Sequence, residues 1–431
     1  MNAGTVLQAL GNSAILEQPE LYDNFRAYWD FSQAEFPSGI IPNFQEEVWE
    51  ESFRYAKLPE ELYPKLQRVA LAIQQNEALA RLAWHTYWRC YRLTDGYGIS
   101  NAWPEANILG AERGGVNILV ALNWVPLLRQ YHRRLAIPDD ITQNTVRQLG
   151  LMAEKMFSFS HDGRMGMFPS QMRWMNRYLS KPYLRIGRLE YCLSPIPDPY
   201  YIYRNRQNGQ VVALCAAGQS YTAEGYSYAD WKEYENEPGI WCSVLHDDGK
   251  QVRGNPISPM GRAMSQQLTL VYSDWEEVFR PGDWGLRMHI PAGGKMNLTD
   301  CGESLQQARD FFQKHFPERD IKLTATSSWI FNPGLEKFLP AESNLNRFQR
   351  ELYLWPVASG PWDGLWFIYQ RDGRPDASFP QQTSLQRQVY EYLQQGHRWR
   401  CGGMFILQDD IKHFGQQYYR QNLSMTLASS N

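Results

Sequence analysis

The segment that most constrains this chain is GDWGLRMHIPAGGKMNLTDCGESLQQARDFF, residues 282–312. Trp284, Leu286, Met288 and Ile290 alternate with Gly285, Arg287 and His289, so a strand over 284–290 has one apolar face and one face carrying a cation and an imidazole. Pro291 ends it, Ala292-Gly293-Gly294 makes a loop, and Leu305, Ala308, Phe311, Phe312 and Phe316 recur at helical spacing. Asp300 with Glu303 three positions later predicts a helix opening at Asp300. A strand, a glycine turn and a helix N-terminus gather unsatisfied backbone N–H groups above the strand end, an arrangement that suits a pyrophosphate.

The surroundings supply partners for that unit. Downstream, strands are expected over 321–330, 365–369 and 404–407, with helices from Ser343 through Leu352 and over 384–393. Upstream, extended patterns cover 184–193, 200–203, 211–216 and a hairpin over 240–253; 264–272 reads as a strand or short helix, and 230–237 as a charged, aromatic loop or short helix. This order implies a mixed sheet covered on both faces. Before residue 180 the pattern is helical: Leu62, Leu66, Val69 and Ile73 mark a helix beginning near Pro59, and Leu79, Leu82 and Ala83 mark another. A helix over 116–134 is expected to kink at Pro126, and Asp139 to cap the next. The expected class is α+β, with a helical N-terminal domain over 1–182 and a mixed sheet flanked by helices over 183–431, a length that calls for two cores.

Charge narrows the partners. Lys and Arg (43) nearly balance Asp and Glu (46) and form no long basic run, so attachment to nucleic acid or acidic lipid is not expected. The longest apolar stretch, 116–128, is broken by Asn123 and Pro126, and the first thirty residues carry Glu17, Glu20 and Asp23 with no sustained apolar run. A cytoplasmic protein without membrane association is expected. Six scattered cysteines, with no CxxC and no histidine at ligand spacing, predict reduced thiols and no metal. The 16 Trp and 25 Tyr are spread along the whole chain, which fits core filling better than a sugar-binding cleft.

Candidate residues follow from the strand ends. His289 sits where a general base could take a proton from an attacking amine, although such a histidine also serves to hold a loop. Arg287 fits an internal salt bridge better than a substrate clamp. Ser327 and Ser328 could bond an acyl carbonyl or protonate a departing thiolate; strand-end serines more often satisfy local backbone. Glu190 and Glu224 could orient or deprotonate an acceptor amine, or as a pair serve glycoside hydrolysis, while a solvated carboxylate is the commoner role. Asn344 and Arg347 could reach a cofactor phosphate, though the Ser343-Asn344 pair also makes an ordinary cap.

The segments RIGRLEYCLS (185–194), GDWGLRMHIPAGG (282–294), SLQQARDFF (304–312), SSWIFNPGLEKFLPAESNLNRFQREL (327–352) and TSLQRQVYEYLQQGHRWRCGGMFIL (383–407) carry a likeness, with RLTDGYG (92–98) and HDGRMGMF (161–168). Together they resemble a bacterial two-domain acyltransferase family that joins a helical N-acyltransferase N-terminal domain to a GNAT-like C-terminal domain. The resemblance implies an acetyl-CoA or other acyl-CoA co-substrate, with its pantetheine arm in a splay between the 284–290 and 321–330 strands. It implies cofactor contacts from Ile290, Ala292, Gly293, Gly294, Lys295, Ser327 and Asn344, chemistry from His289, Ser328 and Glu190, and a small-molecule or peptide acceptor entering from the seam with the helical domain. The loop departs from the superfamily's tight Gln/Arg-x-x-Gly-x-Gly/Ala turn, with five residues between Gly294 and Asp300. The alternative is a non-catalytic module of the same fold that binds CoA, a peptide or a sugar; a carbohydrate-active hydrolase ranks last.

Overall fold

Apolar periodicity sets the helices of the first half, and their buried stripes meet in one core. Helix Tyr63–Gln75 buries Leu66, Val69, Ala70 and Ile73, and helix Glu77–Tyr91 buries Leu79, Leu82 and Ala83. In this computed structural model, residues 1–93, 99–153, 163–228 and 237–421 are described. The chain divides into two compact units, one of 1–186 with 291–294 and one of 187–290 with 295–431. Residues 230–236 of the expected element over 230–237, most of the 92–98 motif and the first two residues of the 161–168 motif lie outside the described residues.

Two helix ends in the first unit differ from expectation. The 116–134 stretch is two helices, Gly115–Leu122 and Trp124–Arg134. The break falls at Asn123, whose Nδ2 donates to the Leu119 carbonyl at 3.0 Å. Pro126 lies in the first turn of the second helix, where its missing N–H breaks no helical bond, so it starts a helix instead of kinking one. Asp139 is the first helical residue after the N-cap Pro138, and its Oδ1 accepts from the Tyr55 hydroxyl at 2.8 Å. Trp49, Trp124 and Tyr178 are among the largest fully buried side chains, so aromatics of this unit fill its core.

In the second unit, one sheet is ordered Leu189–Pro195, Trp284–His289, Leu323–Ser328, Gly402–Leu407 and Tyr353–Pro356. We refer to these as the Glu190, His289, Ser327, Gly403 and Trp355 strands. A second sheet runs Arg262–Ala263, Pro256–Ser258, Val211–Cys215, Tyr200–Asn205 and Trp275–Phe279. Tyr200 of that sheet stacks on Phe405 at 5.3 Å, which places the second sheet on one face of the first. Helix Leu298–His315 takes the opposite face, where Ser304 Oγ bonds the Tyr191 hydroxyl at 2.9 Å. The expected strand over 365–369 is instead the short helix Trp366–Tyr369, an apolar run too short for its period to decide.

Candidate active site

The His289 strand is zipped along one edge and half open along the other. Toward the Glu190 strand it makes six antiparallel rungs, from Trp284↔Pro195 to His289↔Glu190. Toward the Ser327 strand it makes three parallel rungs, Gly285↔Leu323, Leu286↔Thr324 and Arg287↔Ala325, and there the pairing stops. The Ser327 strand itself stays paired with the Gly403 strand over all six residues, to Ser328↔Gly402. The two central strands therefore part after Arg287 and Ala325, and neither has frayed from its outer neighbour.

Opposed residues of an antiparallel pair share a face, so Glu190 and His289 project together, as do Cys192 and Arg287 one rung pair earlier. His289 Nδ1 lies 2.6 Å from Glu190 Oε2. The carboxylate is fully buried and the imidazole side chain one-third exposed, at 33%. A buried carboxylate demands a partner, and the charge fixes the ring tautomer: a neutral imidazole that donates from Nδ1 carries its lone pair on Nε2. Two residues back, Arg287 forks onto Asp198, with Nη2–Oδ1 at 2.6 Å and Nη1–Oδ2 at 3.0 Å. This is the internal salt bridge expected for Arg287, and it keeps the cation off the His289–Glu190 pair.

The remaining candidates divide. Ser327 is exposed and stands level with His289 across the gap, because the register that ends at Arg287↔Ala325 would continue to it. Ser328 accepts from the Ile330 N–H at 3.3 Å and caps the turn Trp329–Phe331. Asn344 opens helix Asn344–Arg350, which Ser343 caps by accepting from the Asn346 N–H at 3.2 Å. Ile290 and Lys295 flank the loop, and the Lys295 carbonyl accepts from Arg188 Nε at 3.2 Å. Ala292, Gly293 and Gly294 group with the first unit. Gly293 has φ +87°, and a Cβ there would stand 2.5 Å from Leu151 Cδ2 of that unit, so backbone conformation and packing both call for glycine.

The helix after the loop starts at Leu298, two residues before the expected Asp300. Its N-cap is Asn297, which accepts from the Asp300 N–H at 2.8 Å and also donates to the Asp300 carboxylate. A neutral amide, not a carboxylate, therefore occupies the cap. Sequence reading named Glu190 and His289 separately and missed that they face one another; the clue was two short strands with ionisable groups at alternate positions. Asp198, just before strand Tyr200–Asn205, is a partner of Arg287 that no local pattern indicates.

The parted sheet and its flanking helices belong to a known class of fold, the GNAT-like acyltransferases. Residues 183–405 match the family model of the GNAT-like C-terminal domain, and residues 49–180 match that of the N-acyltransferase N-terminal domain. The chain belongs to this two-domain acyltransferase family. It is similar in fold to the solved structure of an acyltransferase in complex with decanoyl-CoA and teicoplanin, with TM-score 0.57, 22% identity, and 94% of this chain and 99% of that chain covered. A mutant acyltransferase in complex with octanoyl-CoA gives TM-score 0.57 at 21% identity with the same coverage. No curated protein matches the chain.

Proposed function

We propose that the protein transfers an acyl group from an acyl-CoA to an amine. The observation that carries this reading is the pairing that ends at Arg287↔Ala325 while both outer ladders continue. Neighbouring strands normally sit about 4.8 Å apart, and a stretch without rungs between them offers hydrogen-bonding edges to the amides of a pantetheine arm. The thioester would then lie near His289. The acceptor nitrogen attacks the thioester carbonyl carbon, a C–N bond forms and the C–S bond breaks. The amine proton passes to His289 Nε2 and from there to the departing CoA thiolate. Glu190 holds the ring in the tautomer that can accept. Ser327, across the gap, is in position to bond the acyl carbonyl, and the edge of its strand beyond Ala325 offers backbone donors to the tetrahedral oxyanion.

Ile290 and the loop through Lys295 follow directly on His289 in the chain, so phosphates of the donor belong near that end of the strand. Ser328, engaged as a cap, contributes through the turn it shapes. The octanoyl and decanoyl esters bound by the similar structures support a medium-chain donor, and the teicoplanin bound by one supports a peptide-like acceptor. No helix among the described residues is long and apolar enough to cross a membrane. The six cysteines are unbridged, which supports a reducing, cytoplasmic setting where CoA esters are at hand.

Thermal unfolding with acetyl-, octanoyl- and decanoyl-CoA tests the reading. Saturation at a hundredfold excess over the dissociation constant adds about 2.7 kcal/mol of stability. A shift with at least one ester, together with thiol release in the presence of an amine panel, supports transfer. A shift without thiol release marks a binding module, and no shift with any ester rejects the proposal.

A further inference from the structure

Away from the His289–Glu190 pair, two arginines of the second unit converge on one tyrosine. The Arg262 guanidinium carbon lies 5.3 Å, and that of Arg400 4.1 Å, from the centre of the Tyr226 ring. The platform is rigid. Tyr226 is buried, its N–H donates to Thr222 Oγ1 at 3.3 Å, and the preceding Gly225 carbonyl accepts from the Ala263 N–H at 2.8 Å. Both arginines are half-buried. Among the described residues neither guanidinium has an ion-pair or hydrogen-bond partner, whereas Arg398, two positions before Arg400, is held by Glu237.

Register places this pair at the open end of the sheet. Met260 bridges Leu354 in parallel, Leu354 is opposite Met404 and Met404 is opposite Thr326, so the turn leading into Arg262 lies beside the parted half of the sheet. Pro356 is opposite Gly402, and Gly402 is opposite Ser328, the last residue of the Ser327 strand. Arg400 lies two residues before Gly402. Both cations therefore stand at the end toward which the His289 and Ser327 strands part. Among the described residues, the other ionisable groups of the cluster are the exposed Glu224, the Tyr392 phenol, which feels Glu224 and both arginines, and His397, stacked on Tyr392 at 4.5 Å.

Two like charges half-withdrawn from water around one ring repel each other, and a bound anion turns that repulsion into charge-assisted hydrogen bonding. We propose that Arg262 and Arg400 form a subsite for an oxyanion-bearing group of the reactants, with Tyr226 as its floor. The group is a carboxylate of the acceptor or a phosphate of the donor. The assignment of source rests on the acyl-CoA reading above; the anion site does not.

Calorimetric titration of the full chain, its R262Q and R400Q variants, with CoA, dephospho-CoA and succinate separates these cases, with circular dichroism confirming that each variant folds. If the donor's phosphate occupies the site, each variant loses at least tenfold in CoA affinity and falls to the dephospho-CoA level. If the acceptor's carboxylate occupies it, each variant loses at least tenfold in succinate affinity and binds CoA as wild type does. Arg400→Lys, which keeps the charge and loses the fork, falls between wild type and Arg400→Gln in whichever arm responds. Variants that bind CoA and succinate as wild type does, or a wild type that binds neither, overturn the subsite. Wild type that binds succinate through these arginines but neither CoA nor dephospho-CoA leaves the subsite standing and rejects the acyl-CoA reading.

Discussion

The two edges of the Trp284–His289 strand carry the same residues and do opposite things. Toward Glu190 the ladder runs to the last residue; toward Ser327 it stops halfway. The closed edge fixes the His289 ring against a fully buried carboxylate, and the open edge carries no ladder rung beyond Arg287↔Ala325. A strand frayed on both sides would position nothing, and one paired on both sides would admit nothing. The proposed catalytic geometry comes from asymmetry within a single strand.

The largest expected effect removes the group on the closed edge. His289→Ala should lower kcat by roughly 100- to 10,000-fold, the range of general-base catalysis, with acyl-CoA affinity unchanged, since the open edge is intact. Loss of donor binding together with kcat would show that the ring builds the gap instead of acting beside it.

A second test sharpens the contrast between His289, which has a carboxylate, and His85 and His132 of the first unit, which have none among the described residues. Burial holds the His85 ring down to about 3 and the His132 ring down to about 4. His85 bonds Ser32 Oγ at 2.7 Å and the Phe25 carbonyl at 2.8 Å, and His132 bonds Thr142 Oγ1 at 2.9 Å. Their folded-state values lie below the unfolded value near 6.5, so the unfolded chain binds more protons between those limits. Stability is full above about pH 6.5 and falls as pH drops toward 4 and then 3, by up to about 1.4 kcal/mol per pH unit for each ring. Denaturant midpoints between pH 7 and 4 check this, and His85→Gln should flatten the slope.

Asp198→Asn leaves the Arg287 guanidinium without its counter-charge on the same face. Because Arg287 is partly exposed, the loss of stability should be about 2 kcal/mol, below that of a fully buried pair, with kcat changed little. The smallest effect fills the open edge: Ser327→Trp should weaken acyl-CoA binding about tenfold, or about 1.4 kcal/mol, with the melting temperature unchanged because Ser327 is exposed. Equal binding by this variant would mean that the donor does not run past Ser327.

Alternation made the His289 strand legible, since Arg287 and His289 share a face opposite Leu286 and Met288, and period made the helix after it legible through Leu305, Ala308 and Phe312. The partnership with Glu190 was not, because those residues are 99 positions apart and only the register of two strands brings them together. The cap at Asn297 was hidden by a better-looking pattern at Asp300 and Glu303, and the helix at Trp366–Tyr369 by a short apolar run that fits either period. Gly293 was read for the phosphate it could approach; its packing on Leu151 is a tertiary fact that no local pattern contains.

The most direct measurement is a crystal structure with a non-hydrolysable decanoyl-CoA analogue. The account predicts the pantetheine arm between Met288–His289 and Thr326–Ser327, its amides bonded to strand edges and its thioether carbon within reach of His289 Nε2. A ligand bound elsewhere, or the two strands closed into a continuous ladder beyond Arg287↔Ala325, would contradict it.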